Sequence, residues 1–351
     1  MQIENGRAIG IEFYPSFKLK HVSDGGTALM KMAFASKEVI LSAGTIHSPQ
    51  LLMMSGVGPE EHLRKYGIDV VRDLRGVGAN LQDYQGTGVV CTQKRPAWDK
   101  EIRSFGALAN YAVSGGGVFG TTSIEAIAYA PSTRVAGPES TTVDTSTERP
   151  RMQLFFQNTI FPFAPLGPFD QYVEGAEAGT LPDAFTVHCC LTQPESRGFI
   201  RLKSLHENDP NCKYGAAPGI HQNYLTAPND LRDLVDAVKA ARAVTAEMRS
   251  ETIEEILPGP TVQTDEQLEA YVKASACHFF GNLVGTCKMG PEDDGGVVDS
   301  RCRVHGVEGL RVVDASVIPH LLSAQPNATV TAIAERMADL MLVSSLMHEY
   351  L

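Results

Sequence analysis

Residues 38–43 (EVILSA) form a short apolar run that ends at Gly44, and the hydrophobic period then changes from that of a buried strand to that of a helix. Ser48 is expected to cap this helix and Pro49 to sit in its first turn, where a missing N–H does no harm. Upstream, 8–13 and 28–34 alternate or run apolar and predict a hairpin, joined through a polar link at 21–26 with turn chemistry. Downstream the pattern predicts a helix over 59–66, a short strand over 68–71 and a glycine-rich loop from Gly76 to Asp83.

The middle of the chain changes character. Residues 133–150, rich in Ser, Thr, Pro and Glu, read as an exposed loop, and 162–179 as a second loop of Pro, Gly and aromatics. Between and after them lie strand candidates at 151–157, 184–192 and 198–203, far enough apart for an antiparallel sheet. Helices return at 230–248 and at 264–276, the latter with Thr264 as cap and Glu266 and Gln267 close behind. A strand at 310–313 and a long helix from about Asn327 to Val343 close the chain.

A net charge of −11 over 351 residues opposes binding to nucleic acid or to an anionic membrane surface. The apolar runs are too short to span a bilayer. Residues 1–6 carry no basic-then-apolar leader and read as the interior of a domain, which leaves room for a targeting segment ahead of them. Seven cysteines, odd in number and without a CxxC pair, read as buried thiols of a soluble protein in a reducing compartment, cytoplasm or organelle interior. A zinc site lacks its paired ligand spacing.

A strand, a tight turn and a helix start are how α/β proteins hold nucleotides at the carboxyl end of a sheet. Yet no phosphate fingerprint precedes Gly44. The literal GxGxxG at Gly115–Gly120 follows NYAVS and precedes TTS, so it lacks the buried strand before it and the helix after it. It reads as a surface turn.

Residues 44–58 (GTIHSPQLLMMSGVG) resemble the second signature of the glucose–methanol–choline (GMC) oxidoreductases, flavoenzymes that oxidise alcohols with FAD. GVGANLQD at 76–83 is similar to the loop that follows it in that family, GTCKMG at 285–290, VHGVEGLRVVDASVIP at 304–319 and AIAER at 332–336 match in order and spacing, and Tyr84 departs from the family's usual histidine. The resemblance implies an α/β fold, with a partial FAD-binding (Rossmann-like) domain and an α+β substrate domain on an antiparallel sheet. Residues 1–90 and 278–351 are expected to form the flavin-domain remnant and 91–277 the substrate domain. The family's N-terminal ADP-binding segment has no counterpart here. The chain is therefore expected to bind FAD weakly on its own, and another polypeptide, or a further segment of the same one, is expected to cover apolar faces around Val39–Leu41 and Leu51–Met54.

By resemblance Ala43, Gly44, Asp314 and Ala315 face the cofactor, and Gln325 stands beside both cofactor and substrate. The family's catalytic histidine position falls on Asn282, and its partner position on Gln325, with Asn327 next. An amide cannot take a proton at neutral pH, so His278, expected one helical turn before Asn282 near Phe279 and Phe280, is the substitute base. Three readings follow: a choline-dehydrogenase-like oxidoreductase acting on the CH–OH group of a small alcohol; a catalytically degenerate homologue serving as a subunit of a larger complex; and a branch like the fatty acid photodecarboxylases. The two amides and the absent ADP segment favour the second, the retained Gly44 signature and Asp314–Ala315 the first. The third resembles this chain at His278 and Gln325 but departs from it at Thr192 and Gly281.

Overall fold

Two buried apolar clusters organise the chain in the computed structural model, which describes residues 1–13, 30–131, 149–161, 163, 175, 180–203, 217–248, 252–278 and 281–349. The first cluster gathers both ends of the sequence. Strands β1 (Gln2–Glu4), β2 (Arg7–Phe13) and β3 (Lys31–Phe34) form an antiparallel sheet, so the expected hairpin is present, while its link at 21–26 lies outside the described residues. β4 (Val39–Leu41) lies parallel to β15 (Leu310–Val312), with Val39 opposite Leu310 and Leu41 opposite Val312. Helix α1 (Gly44–Met54) follows β4 and packs Leu52 and Met53 into the cluster, where they meet Leu63 of α2 (Glu60–Lys65) and Val297, Val298 and Cys302.

The structure departs from the sequence pattern at three places in this part of the chain. Helix α1 begins at Gly44, four residues before Ser48, and Pro49 lies inside it. The strand expected over 68–71 is replaced by β6 (Arg72–Asp73), which pairs in parallel with β5 (Val57–Gly58). The Gly56 carbonyl takes both the Val71 and the Arg72 N–H, which fixes the register one step later than the apolar pattern suggests. The apolar faces expected to be bare are largely covered: Val39, Leu41, Leu52 and Met53 are buried, and of that set Ile40, at 45% exposure, is the one left open.

The second cluster is built on an antiparallel sheet in the order β13 (Thr252–Leu257), β7 (Gln85–Gln93), β10 (Ala184–Leu191), β9 (Met152–Gln157), β8 (Ile124–Ala130). β14 (Cys277–His278) extends the edge beside β7, with Cys277 opposite Gly86. Short pairs such as β11 (Phe199–Arg201) with β12 (Gly219–His221) and helices α3 (Trp98–Glu101) and α4 (Phe105–Ser114) complete this part. Gly115 is the left-handed cap of α4, so the GxGxxG stretch follows a helix, as a turn does. The chain division expected at 90/91 and 277/278 cuts through β7 and β14, because glycines 86 and 88 hide a strand that the apolar pattern does not announce. Gly88 is needed there: a Cβ would stand 2.6 Å from the Phe163 ring.

Helices α5 (Pro228–Glu247) and α6 (Asp265–Ser275) cover one face of the sheet through Leu234, Val238, Ala241, Leu268 and Val272. α6 carries the expected capping box between Thr264 and Gln267. In α5 the buried Asp230 accepts the Glu195 and Ser196 N–H groups at 2.8 Å each, which ties the helix start to the turn after β10. Alternation along the strands places Cys189, whose thiol reaches the Ala237 carbonyl of α5, on the helix side. His188 and the paired Phe155, and Cys190 with its partner Gln153, face the other side. The six described cysteines carry free thiols, and burial pushes that of Cys277 up to about 11. Cys212 lies outside the described residues, as do most of 133–150 and of 162–179. The last helix, α7, spans Asn327–Glu349.

Candidate functional site

β4 and β15 end side by side, and each chain then turns into helical structure. Asp314 holds the two turns together. Its Oδ2 accepts the Gly44 N–H at 2.9 Å and the Ser48 hydroxyl at 2.5 Å, and its Oδ1 accepts the Ser316 N–H at 2.8 Å and hydroxyl at 2.5 Å. A carboxylate at a helix N-terminus satisfies donors that have no intrahelical acceptor and opposes the positive end of the dipole. The cap of α1 is thus Asp314, 270 positions away, and Ser48 is spent inside the helix, accepting from the Ala43 N–H. No local pattern announces a cap from so far along the chain.

The Gly-Thr of the 285–290 motif repairs the defect that Pro49 makes. Proline offers no N–H to the carbonyl four residues back. That carbonyl, Thr45, accepts the Thr286 hydroxyl at 2.5 Å instead, and Thr45 in turn donates to the Leu283 carbonyl at 2.6 Å.

The family cofactor implied by the sequence can be tested against this rim. Gly44 has φ +81° and nothing stands within 4 Å of where a Cβ would be; Gly281, with φ +64°, is equally open. Ser42 and Ala43 beside Gly44 are exposed, and the next amides of α1 belong to its first turn. The open Gly44 turn and the short, exposed side chains of Ser42 and Ala43 at the carboxyl end of a parallel strand let a nucleotide approach the backbone closely. Asp314 itself is occupied by its internal bonds, so it shapes the rim, while Ala315 begins the short 3-10 turn Ala315–Val317. The residues present fit one flank of FAD. Among the described residues no glycine-rich strand–turn–helix supplies the other.

Asn282 and Gln325 are brought together: Asn282 Nδ2 donates to Gln325 Oε1. One short segment holds both arms. Gln82 exchanges backbone hydrogen bonds with Val284 at 3.0 Å each. Its side chain donates to the Pro319 carbonyl at 2.9 Å and accepts the Leu321 N–H at 3.1 Å. Two residues on, the fully buried Tyr84 donates to the carbonyls of Leu322 and Ala324, just ahead of Gln325. Tyr84 is where the sequence departs from the family histidine, and burial raises the pKa of its phenol, so it acts as a neutral donor.

The amide pair opens on a cavity of about 300 Å³ lined by Ile124, Ile127, Gln153, Phe155, Asn282 and Gln325. Ile127 stands opposite Phe155 across β8 and β9, on the sheet face away from α5 and α6. The pair and this sheet wall lie together, and Asn327 is not among the described residues that line the cavity. Asn327 is exposed at the start of α7, its carbonyl accepting the Thr331 hydroxyl. His278 sits on β14, opposite Gln85, and not one helical turn before Asn282, because α6 ends at Ser275 and the chain turns through Gly281. Its imidazole lies outside what the structure describes, as do Phe279 and Phe280. Sequence reasoning missed His188, which stacks on Phe155 at 5.0 Å and places Nε2 2.6 Å from Gln157 Oε1; burial pushes its pKa down to about 3. Among the described residues no three acidic, His or Cys side chains are placed to hold a metal, and no helix is long and apolar enough to cross a membrane.

Residues 2–85 match the N-terminal part of the GMC oxidoreductases and residues 194–334 the C-terminal part. The chain is 34% identical over 325 residues to the chloroplastic fatty acid photodecarboxylase of Chlamydomonas reinhardtii, covering 87% of this chain and 49% of that one. It is 33% identical over 350 residues to the oxygen-dependent choline dehydrogenase of Serratia proteamaculans, covering 97% and 55%. An FAD-dependent oxidoreductase from Chaetomium thermophilum superposes with a TM-score of 0.74 at 27% identity, over 98% of this chain and 60% of that one. The chain spans about half the length of the curated relatives it matches.

Proposed function

Because the chain belongs to the GMC oxidoreductase family, whose cofactor is FAD, we propose that it forms the substrate side of an FAD-dependent oxidoreductase acting on the CH–OH group of a small alcohol. The observation that carries this reading is the Asn282–Gln325 pair, hydrogen bonded to each other on the wall of a cavity beside the sheet. FAD, when bound, supplies the hydride acceptor. Gly44, Ala315 and the first turn of α1 would hold its flank, with Asp314 shaping that flank from behind. Asn282 keeps a carbonyl oxygen that can accept the alcohol O–H and orient it. Neither amide can remove the proton, so that step falls to His278 or to solvent and turnover is slow, by about 10²–10⁴-fold relative to a site with a positioned base.

We further infer that residues 1–84 and 279–351 serve the cofactor and 85–278 the substrate, the strands β7 and β14 moving the boundaries. Exposed apolar side chains on β3 and β4, among them Met32, Phe34 and Ile40, support cover from another polypeptide or a further segment of this one. The degenerate-subunit reading draws on the same amides: with no base, the cavity would bind without turnover. The photodecarboxylase-like reading is weaker, because the Thr192 hydroxyl is spent on the Pro150 carbonyl and Thr192 does not line the cavity.

The test is flavin absorbance in the protein together with whatever completes its flavin site, followed by anaerobic addition of benzyl alcohol. Slow bleaching of the oxidised flavin supports the oxidoreductase. Bound flavin that no alcohol bleaches supports the degenerate subunit.

A further inference from the structure

The six described residues around the cavity have a common property: none carries a charge. Ile124, Ile127 and Phe155 are apolar, and Gln153, Asn282 and Gln325 are amides. A quaternary ammonium group needs a carboxylate or a cage of aromatic faces, since it can neither donate a hydrogen bond nor shed its charge when desolvated. Among the described residues the wall offers one aromatic ring and no carboxylate. Gln153 adds a positive preference. It is 2% exposed, its Nε2 donates to the Tyr129 hydroxyl at 3.0 Å, and its Oε1 has no hydrogen-bond partner among the described residues. A buried acceptor left unmatched favours a ligand that brings an O–H or N–H.

We propose that this cavity selects an uncharged alcohol with a compact apolar tail and rejects a cationic alcohol such as choline, the substrate named for one of the relatives. The inference rests on the oxidoreductase reading for the role of the cavity, but binding can be measured without turnover. Ile127 is the residue to change. It lies on the edge strand β8, it is 57% exposed, and it faces the cavity, so a charge there is compatible with the fold.

Benzyl alcohol and choline are titrated separately against the protein by ligand-observed NMR, at about 0.15 M salt so that the surface charge is screened. Benzyl alcohol is expected to bind at least about tenfold more tightly than choline. Ile127→Glu is expected to reverse the order by placing a carboxylate on the wall, whereas Val113→Glu, on an exposed helix away from the cavity, leaves it unchanged. Circular dichroism of each variant confirms that it is folded. Choline binding as tightly as benzyl alcohol to the wild-type protein, binding of neither, or an Ile127→Glu variant that is folded yet keeps the wild-type ratio overturns the proposal. If benzyl alcohol binds selectively but bleaches no flavin, the selectivity stands and the oxidoreductase reading fails.

Discussion

The hydroxyl of Tyr84 is shared between the carbonyls of Leu322, at 2.8 Å, and Ala324, at 2.6 Å, so a residue on one side of the sheet entry sets the loop that delivers Gln325. Gln82, on the same short segment, fixes the Asn282 arm through Val284. The separation of the two amides is therefore set by an element that touches neither directly.

Tyr84→Phe is expected to leave the sheet intact and to cost about 1 kcal/mol, since the one hydroxyl proton shared by the Leu322 and Ala324 carbonyls is lost. Urea denaturation measures the loss. Amide exchange should quicken in 321–326 and stay unchanged in β10. Uniformly faster exchange would mean that Tyr84 is a core residue without a particular hold on Gln325.

The Asp314 carboxylate accepts four hydrogen bonds among the described residues, two from each turn. Asp314→Ala should cost about 2–4 kcal/mol, because hydrogen bonds to a charged acceptor are the strong ones. Asp314→Asn should cost less, and exchange at Gly44 and Ser316 should report both. Equal losses in the two variants would show that the charge contributes nothing at this helix start.

That relationship also shows where sequence ends as a guide. The strand 38–43 and its partner at 310–313 were legible from their apolar runs, α6 from its capping box, and β9 and β10 from composition. The cap of α1 was not, because its donor and acceptor are 270 positions apart. β7 was not, because Gly86 and Gly88 interrupt its apolar pattern, and only the fold shows that Phe163 takes the space a side chain at 88 would need. The family motifs located Asn282 and Gln325; their contact with each other and with the β8–β9 wall required the fold.

His188 gives a pH dependence. Burial pushes its folded pKa down to about 3 from an ordinary 6.5. The unfolded chain therefore binds a proton that the folded one refuses as pH falls below 6.5, and stability drops by up to about 1.4 kcal/mol per pH unit between there and the folded pKa. Denaturation midpoints from pH 7 to 4.5 should fall more steeply in the wild-type protein than in His188→Gln. Parallel curves would place the acid sensitivity elsewhere.

FAD binding by these 351 residues alone should be weak. One flank of the cofactor has the open Gly44 turn, but among the described residues none supplies a phosphate loop, and each missing charge-assisted amide bond removes about 1.5–3 kcal/mol. Titration followed by flavin fluorescence checks this, with tight stoichiometric binding as the contrary result.

The central claim is that the cavity is an alcohol site whose base position holds an amide. The most direct measurement is the anaerobic rate at which benzyl alcohol reduces the bound flavin, compared between the wild-type protein and Asn282→His under identical flavin loading. A site intact in every respect but its base gains about 10²–10⁴-fold from the histidine. A variant with flavin bound and alcohol bound that gains no rate contradicts the account and leaves the chain as a subunit that does not turn over.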